Sequence, residues 1–179
     1  MGMESSRTWP GGEITTYDSL DHSLGMARNN IYLGGKIWAS YLALEAIFSQ
    51  LGMADYSEDA QSMAKLSAET LTQGYREDLG FIPAVLEGDN TSAIIPAIEA
   101  LVFPDQMGLV DALSETGPYA ELIKVLQKHL KHVLKPGVCL YPDGGSKLSS
   151  SADNSWMSKI CLSQYVAQEV MRAVSGEEM

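Results

Sequence analysis

Only two cysteines, Cys139 and Cys161, and three histidines occur among the 179 residues. Their spacing forms neither a CxxC unit nor a zinc-ligand pattern, which excludes a disulfide framework and a zinc module. The cysteines read as buried reduced thiols, in keeping with a cytoplasmic protein. Basic residues are also scarce, 12 against 23 acidic ones, and the net charge of -11 opposes a phosphate backbone or an anionic bilayer. Neither nucleic acid nor a membrane is expected as a partner.

No run approaches the roughly 18 consecutive apolar residues of a membrane span, and Met1 to Gly12 lacks the basic-then-apolar order of a signal peptide. A soluble chain in the cytoplasm is the expectation. A Gly-rich phosphate loop, a Ser nucleophile elbow and a metal motif are missing as well, so no cofactor and no metal is expected.

What is present is apolar. At 45% hydrophobic composition the chain can bury a sizeable core without disulfides or metal, as one domain or one piece of one. From Leu24 to Leu51 apolar residues recur on nearly every face, which predicts a helix buried on several sides. Gly34-Gly35 inside it costs about 1 kcal/mol per glycine relative to alanine, and either close approach of a neighbour or a local kink accounts for the pair.

Ser57, followed by Glu58 and Asp59, predicts the cap of a second, half-exposed helix with a stripe through Ala60, Met63, Ala64, Leu71 and Tyr75. Ser92 opens the apolar run Ala93 to Phe103, in which Pro96 falls within the first turn, and Pro104 and Asp105 close it. Leu109 to Leu113 suggests a short helical piece. Pro118 starts a strongly amphipathic helix that Pro136-Gly137 terminates, with Lys128, Lys131, His132 and Lys135 towards its C-terminal end. His129 and His132 are expected to face solvent or that helix end. Asp153 or Ser155 then caps a last helix from Trp156 onward. The fold class is all-α, built from αα-hairpins joined by long polar loops.

Chemistry is sought where polar loops empty into apolar helices. Asp18 and Asp21, with His22 beside them, form the densest titratable cluster. A carboxyl near an apolar neighbour such as Tyr17 acquires a raised pKa and acts as a proton donor near neutrality; the alternative is a helix cap or a loop acceptor. Glu87, Asp89 and Asn90 either line the same mouth or form a solvated turn. The stretch Ser149 to Trp156 is a third such loop, and Trp156 either stacks on a sugar ring or enters the core.

The runs Thr15 to Asp21, Ser23 to Gly25 and Ala27 to Asn30 resemble the C-terminal part of the β-xylosidases of glycoside hydrolase family 52. The likeness continues through Asn90 to Pro104 and through Asp153 to Ile160, and so covers nearly the whole chain. Thr16-Tyr17-Asp18 is also similar to the acid/base segment of the glucosylceramidase-type β-glucosidases.

The resemblance implies a partial (α/α)6 toroid, about half a barrel across residues 1–179, with an N-terminal β-sandwich and the first part of the barrel lying elsewhere. It implies a retaining glycoside hydrolase of xylan degradation that releases xylose from xylooligosaccharides or aryl β-xylosides. Asp18 matches the acid/base, whereas the nucleophilic Glu of the family lies upstream of the matched segment, so residues 1–179 alone are expected to be inactive. Thr16, Asp21, His22, Asn90, Asp153 and Trp156 are the candidate substrate-binding residues. An uncovered apolar face on half a barrel would favour self-association. A related β-glucosidase and a non-catalytic helical interaction module are the alternatives.

Overall fold

A computed structural model describes residues 16–17, 20 and 26–172. The fold is all-α, with one minimal sheet: Thr16–Tyr17 (β1) pairs antiparallel with Met26–Ala27 (β2), Thr16 opposite Ala27. The helices are α1 (Ile31–Gln50), α2 (Ala54–Gln73), a 3-10 helix (Ile95–Leu101) running into α3 (Val102–Gln106), a short 3-10 turn (Val110–Leu113), α4 (Ala120–Val133) and α5 (Met157–Tyr165). A π turn, Val166–Val170, continues α5.

The α1 helix begins at Ile31, not in the Ser23–Leu24 region, because Asn30 caps it. The Asn30 side-chain oxygen accepts from the backbone N–H groups of Tyr32 (2.8 Å) and Leu33 (3.4 Å), satisfying two of the free donors of the first turn. Its buried residues, Ile31, Gly35, Trp38, Ala39 and Leu42, form one stripe. The expected burial on several sides does not hold among the described residues, since Ile37, Leu44, Ile47 and Leu51 are exposed. A sequence apolar all round states what a helix can cover, and the described neighbours cover only one side.

The glycine pair reflects close approach rather than a kink, and α1 runs through it without a break. A Cβ on Gly34 would lie 3.0 Å from Leu71 Cδ2 of α2, and one on Gly35 would lie 3.0 Å from Ala100 Cβ of the 3-10 helix. Each glycine therefore admits a different neighbour to the α1 backbone.

The α2 helix starts at Ala54, ahead of the expected cap; Ser57 instead donates its hydroxyl to the Glu45 carbonyl across the hairpin (3.3 Å). Its buried face is small, Ala60, Ala64 and Ala68 with Leu71, which allows α1 and α2 to pack closely, while Met63 is exposed. The 3-10 helix is central: all seven of its residues are buried. Pro104 and Asp105 do not end the helix, which runs on through Gln106 with Pro104 as the third residue of α3.

The α4 helix closes the core with Leu122, Ile123, Leu126, Leu130 and Val133, as its amphipathic pattern predicts. Two further expectations need correcting. Neither Asp153 nor Ser155 makes a capping bond to α5; Trp156 holds the cap position. Cys139 is buried, but Cys161 is exposed, on a helix whose inner side is occupied by other residues. No helix among the described residues is long and apolar enough to cross a membrane.

Candidate functional site

Three segments that precede α1, the 3-10 helix and α5 are joined into one band. The Ile31 N–H donates to the Ala84 carbonyl (3.0 Å) and the Leu86 N–H to the Asn29 carbonyl (3.0 Å), so the stretch around Val85 runs along the entry to α1. The Ser150 N–H donates to Ala93 O (2.9 Å) and the Ile95 N–H to Leu148 O (3.0 Å), which places Leu148–Ser150 against the entry to the 3-10 helix. Backbone donors and acceptors that the helices cannot use pair between loops instead.

Hydroxyls reinforce the second junction. Ser92 Oγ lies 2.7 Å from Ser151 Oγ and 3.1 Å from Ser149 Oγ, and Ser150 Oγ accepts the Ala93 N–H at 2.9 Å. Ser92 and Ser149 are buried, so each hydroxyl must find such a partner. At the first junction Arg28 binds Glu87 through two hydrogen bonds, Nε to Oε1 at 2.8 Å and Nη2 to Oε2 at 2.7 Å. Glu87 is thus held in a two-pronged pair, not left in a freely solvated turn.

The expected site residues fall as follows. Asn90 accepts the Ser92 N–H on its side-chain oxygen (3.1 Å), which turns the chain into the serine junction. Asp153 accepts from the Tyr141 hydroxyl (3.0 Å) and from Lys147 Nζ (3.4 Å) on an exposed edge of the third loop. Trp156 is 52% exposed and does not enter the core. Thr16 lies in β1, which pairs with β2 four residues before α1 begins. Asp18, Asp21 and His22 lie outside the described residues. The loops bearing Asn90, Asp153 and Trp156 share one band, and each of the two polar side chains has a local partner within it.

Two residues that hold this band escape a reading of the sequence. His129 is fully buried, not solvent-facing as its lysine neighbours suggest: its Nδ1 accepts the Ile82 N–H (3.2 Å) and its Nε2 lies 2.8 Å from the Ile94 carbonyl. One ring therefore ties both ends of the 82–94 segment to α4, as the tautomer protonated on Nε2. Burial lowers its pKa from 6.5 to about 4, against the opposing effect of the Ile94 carbonyl.

Glu99 is 1% exposed, in the middle of the 3-10 helix. Its Oε2 accepts from Lys159 Nζ (2.8 Å) and its Oε1 from Ser163 Oγ (3.4 Å). Lys159 also donates to the Tyr32 hydroxyl oxygen, as does Lys36. Burial pushes the Glu99 carboxyl above its ordinary range, and the Lys159 hydrogen bond opposes it. Burial would lower Lys159, but its hydrogen bonds to Glu99 and Tyr32 leave it raised. The available signal was an isolated carboxylate within the apolar run Ala93 to Phe103.

In the described band the serine hydroxyls, Asn90, Asp153 and Lys147 are engaged with local partners, and Trp156 presents an exposed indole. Among the described residues no group of three or more His, Cys, Asp or Glu could hold a metal ion.

Comparison with known proteins finds a similarity to a β-xylosidase. The chain is 49% identical over 171 residues, 96% of its length, to a β-xylosidase from Geobacillus stearothermophilus. The likeness to β-xylosidases drawn from the sequence therefore holds. The chain spans about a quarter of that relative's length, 24%. No protein-family model matches the chain.

Proposed function

We propose that these residues form part of the catalytic domain of a retaining β-xylosidase of glycoside hydrolase family 52, about half of an (α/α)6 toroid, acting on β-xylosides and xylooligosaccharides. The observation that carries the proposal is 49% identity over 96% of the chain to a β-xylosidase. Asp18 is the acid/base, directly after Tyr17 of β1. The capping role that competed for Asp18 at α1 belongs to Asn30, which favours the chemical role.

In this mechanism Asp18 protonates the leaving oxygen as a second carboxylate attacks the anomeric carbon, then deprotonates the water that releases xylose. The two carboxyl groups of such a pair stand about 5 to 5.5 Å apart. By resemblance the second one comes from a Glu upstream of the matched segment. On this reading residues 1–179 alone hydrolyse nothing, and turnover requires a longer protein that also supplies that Glu. Trp156 stacks on a sugar ring, and Thr16, Asp21, His22, Asn90 and Asp153 are the further substrate-binding residues.

The test is the anomer released by that longer protein. Proton NMR during hydrolysis of an aryl β-xyloside should show β-xylose first, with the α anomer following by mutarotation. Initial α-xylose would exclude the retaining mechanism, and no xylose from any xyloside would exclude the substrate class.

A further inference from the structure

The α5 helix, whose cap position holds Trp156, has little apolar hold on the core along its own length. Of residues 157–165 only Ser163 is buried, and Ile160 packs against the core half-buried. Its C-terminal continuation is anchored by Val166 and Ala167, buried in the π turn. The helix itself is fixed differently, by one buried carboxylate: Glu99 holds Lys159 near its start on Oε2 and Ser163, one turn on, on Oε1. Those residues are four apart, one turn along the same face of α5. Lys159 is bound at both ends, since its backbone N–H donates to the Trp156 carbonyl (3.0 Å) and its ammonium is held by Glu99 and the Tyr32 hydroxyl.

A carboxylate withdrawn from water into an apolar helix is a costly way to hold two helices together, because apolar side chains of similar size do so without desolvating a charge. A polar clamp adds direction. Oxygens fixed in a buried 3-10 helix set both the rotation of α5 about its axis and its height, which apolar contacts at its far end leave loose.

We infer that Glu99 is a positioning residue: by clamping Lys159 and Ser163 it fixes the first turn of α5 and so the place of Trp156 in the loop band. The inference rests on the reading of Trp156 as a sugar-stacking residue for its functional consequence, and on the geometry alone for the clamp.

The experiment uses the full-length protein that carries this segment, with xylobiose as substrate and 5-fluorotryptophan incorporated for fluorine NMR. Glu99→Gln is compared with Trp156→Ala. Because Lys159 left without its carboxylate can unfold the protein, the pair Glu99→Leu with Lys159→Met, which leaves no lone charge, is measured beside it. The expected result is a rise in KM of about tenfold in all three, with kcat within about threefold, the pattern of lost binding common to ground and transition state. In both Glu99 variants the Trp156 resonance should shift or broaden while that of Trp38 stays in place.

If Trp156→Ala raises KM and the Glu99 variants leave both KM and the Trp156 resonance unchanged, the clamp is overturned and the sugar reading stands. If Trp156→Ala leaves KM unchanged, the sugar reading fails, and the Trp156 resonance in the Glu99 variants decides the clamp. A purely structural role, with folding impaired and the Trp156 resonance unmoved in the folded fraction, also overturns it.

Discussion

His129 Nε2 stands 2.8 Å from the Ile94 carbonyl while its Nδ1 receives the Ile82 N–H at 3.2 Å, so a single buried ring closes the base of the 82–94 segment. Its near neighbours are the Phe81 ring and His132, whose own pKa is lowered by burial and by Lys135. Protonation would place a second N–H on Nδ1, facing the Ile82 N–H, and replace a hydrogen bond by two opposed donors.

The pH dependence follows in sign. The folded-state pKa, about 4, lies below the unfolded value of 6.5, so the unfolded chain takes up the proton first as pH falls. The contribution of neutral His129 is present above pH 6.5 and declines by about 1.4 kcal/mol per pH unit down to about pH 4. Glu99, whose carboxyl is raised, acts in the opposite sense over its own range. Urea unfolding of wild type and His129→Gln should therefore show a stability gap at pH 7 that narrows by about 2 kcal/mol at pH 5. A gap independent of pH would remove His129 as the titrating group.

Gly34 and Gly35 should respond in opposite ways to alanine. At Gly34 the added methyl meets the end of the Leu71 side chain, which can turn aside, and helix propensity contributes about 1 kcal/mol in favour. Gly34→Ala should be neutral or stabilising in thermal unfolding. At Gly35 the methyl meets Ala100 Cβ, attached directly to the buried 3-10 backbone, and overpacking of about 1–3 kcal/mol outweighs the propensity gain. Equal effects at the two positions would contradict the packing described.

Asn30→Ala should cost about 1 to 2 kcal/mol in chemical denaturation, since it removes the cap of α1 from a buried position; Asn30→Asp, which retains the accepting oxygen, should recover most of the loss. Failure of Asp to recover it would assign the cost to something other than the cap.

Much of this was legible before the structure. The α4 helix was marked by Pro118, by the spacing of Leu122, Leu126 and Leu130 and by Pro136-Gly137, because amphipathic period and proline stops act locally. Helix starts were less legible. Asn30, Met53 and Trp156 hold cap positions that sequence assigned elsewhere: only Asn30 caps through its side chain, while α2 and α5 begin without a side-chain acceptor, so the Ser and Asp residues near their starts mark no boundary.

In the candidate site, a shared mouth for the polar loops was one of two readings the sequence left open; the second and third loops do meet, at Ser92 and Ser149–Ser151, while Asp18, Asp21 and His22 of the first lie outside the described residues. The partners of Arg28 with Glu87 and of Ser92 with Ser151 were not foreseen, because they lie 59 residues apart in each case and no local pattern couples them. His129 was misplaced for the reason that makes it informative: a polar ring among lysines carries no sign in sequence of the two backbone groups it satisfies.

The central claim is that Asp18 is the acid/base of a retaining xylosidase, and one comparison tests it most directly. Asp18→Ala in the full-length protein is assayed on aryl β-xylosides of good and poor leaving group, with and without azide. The account predicts a loss of about a hundredfold or more on the poor leaving group, and azide-dependent recovery on the good one as azide replaces the water of the second step, giving β-xylosyl azide. Undiminished turnover on the poor leaving group, with no azide product, would contradict it.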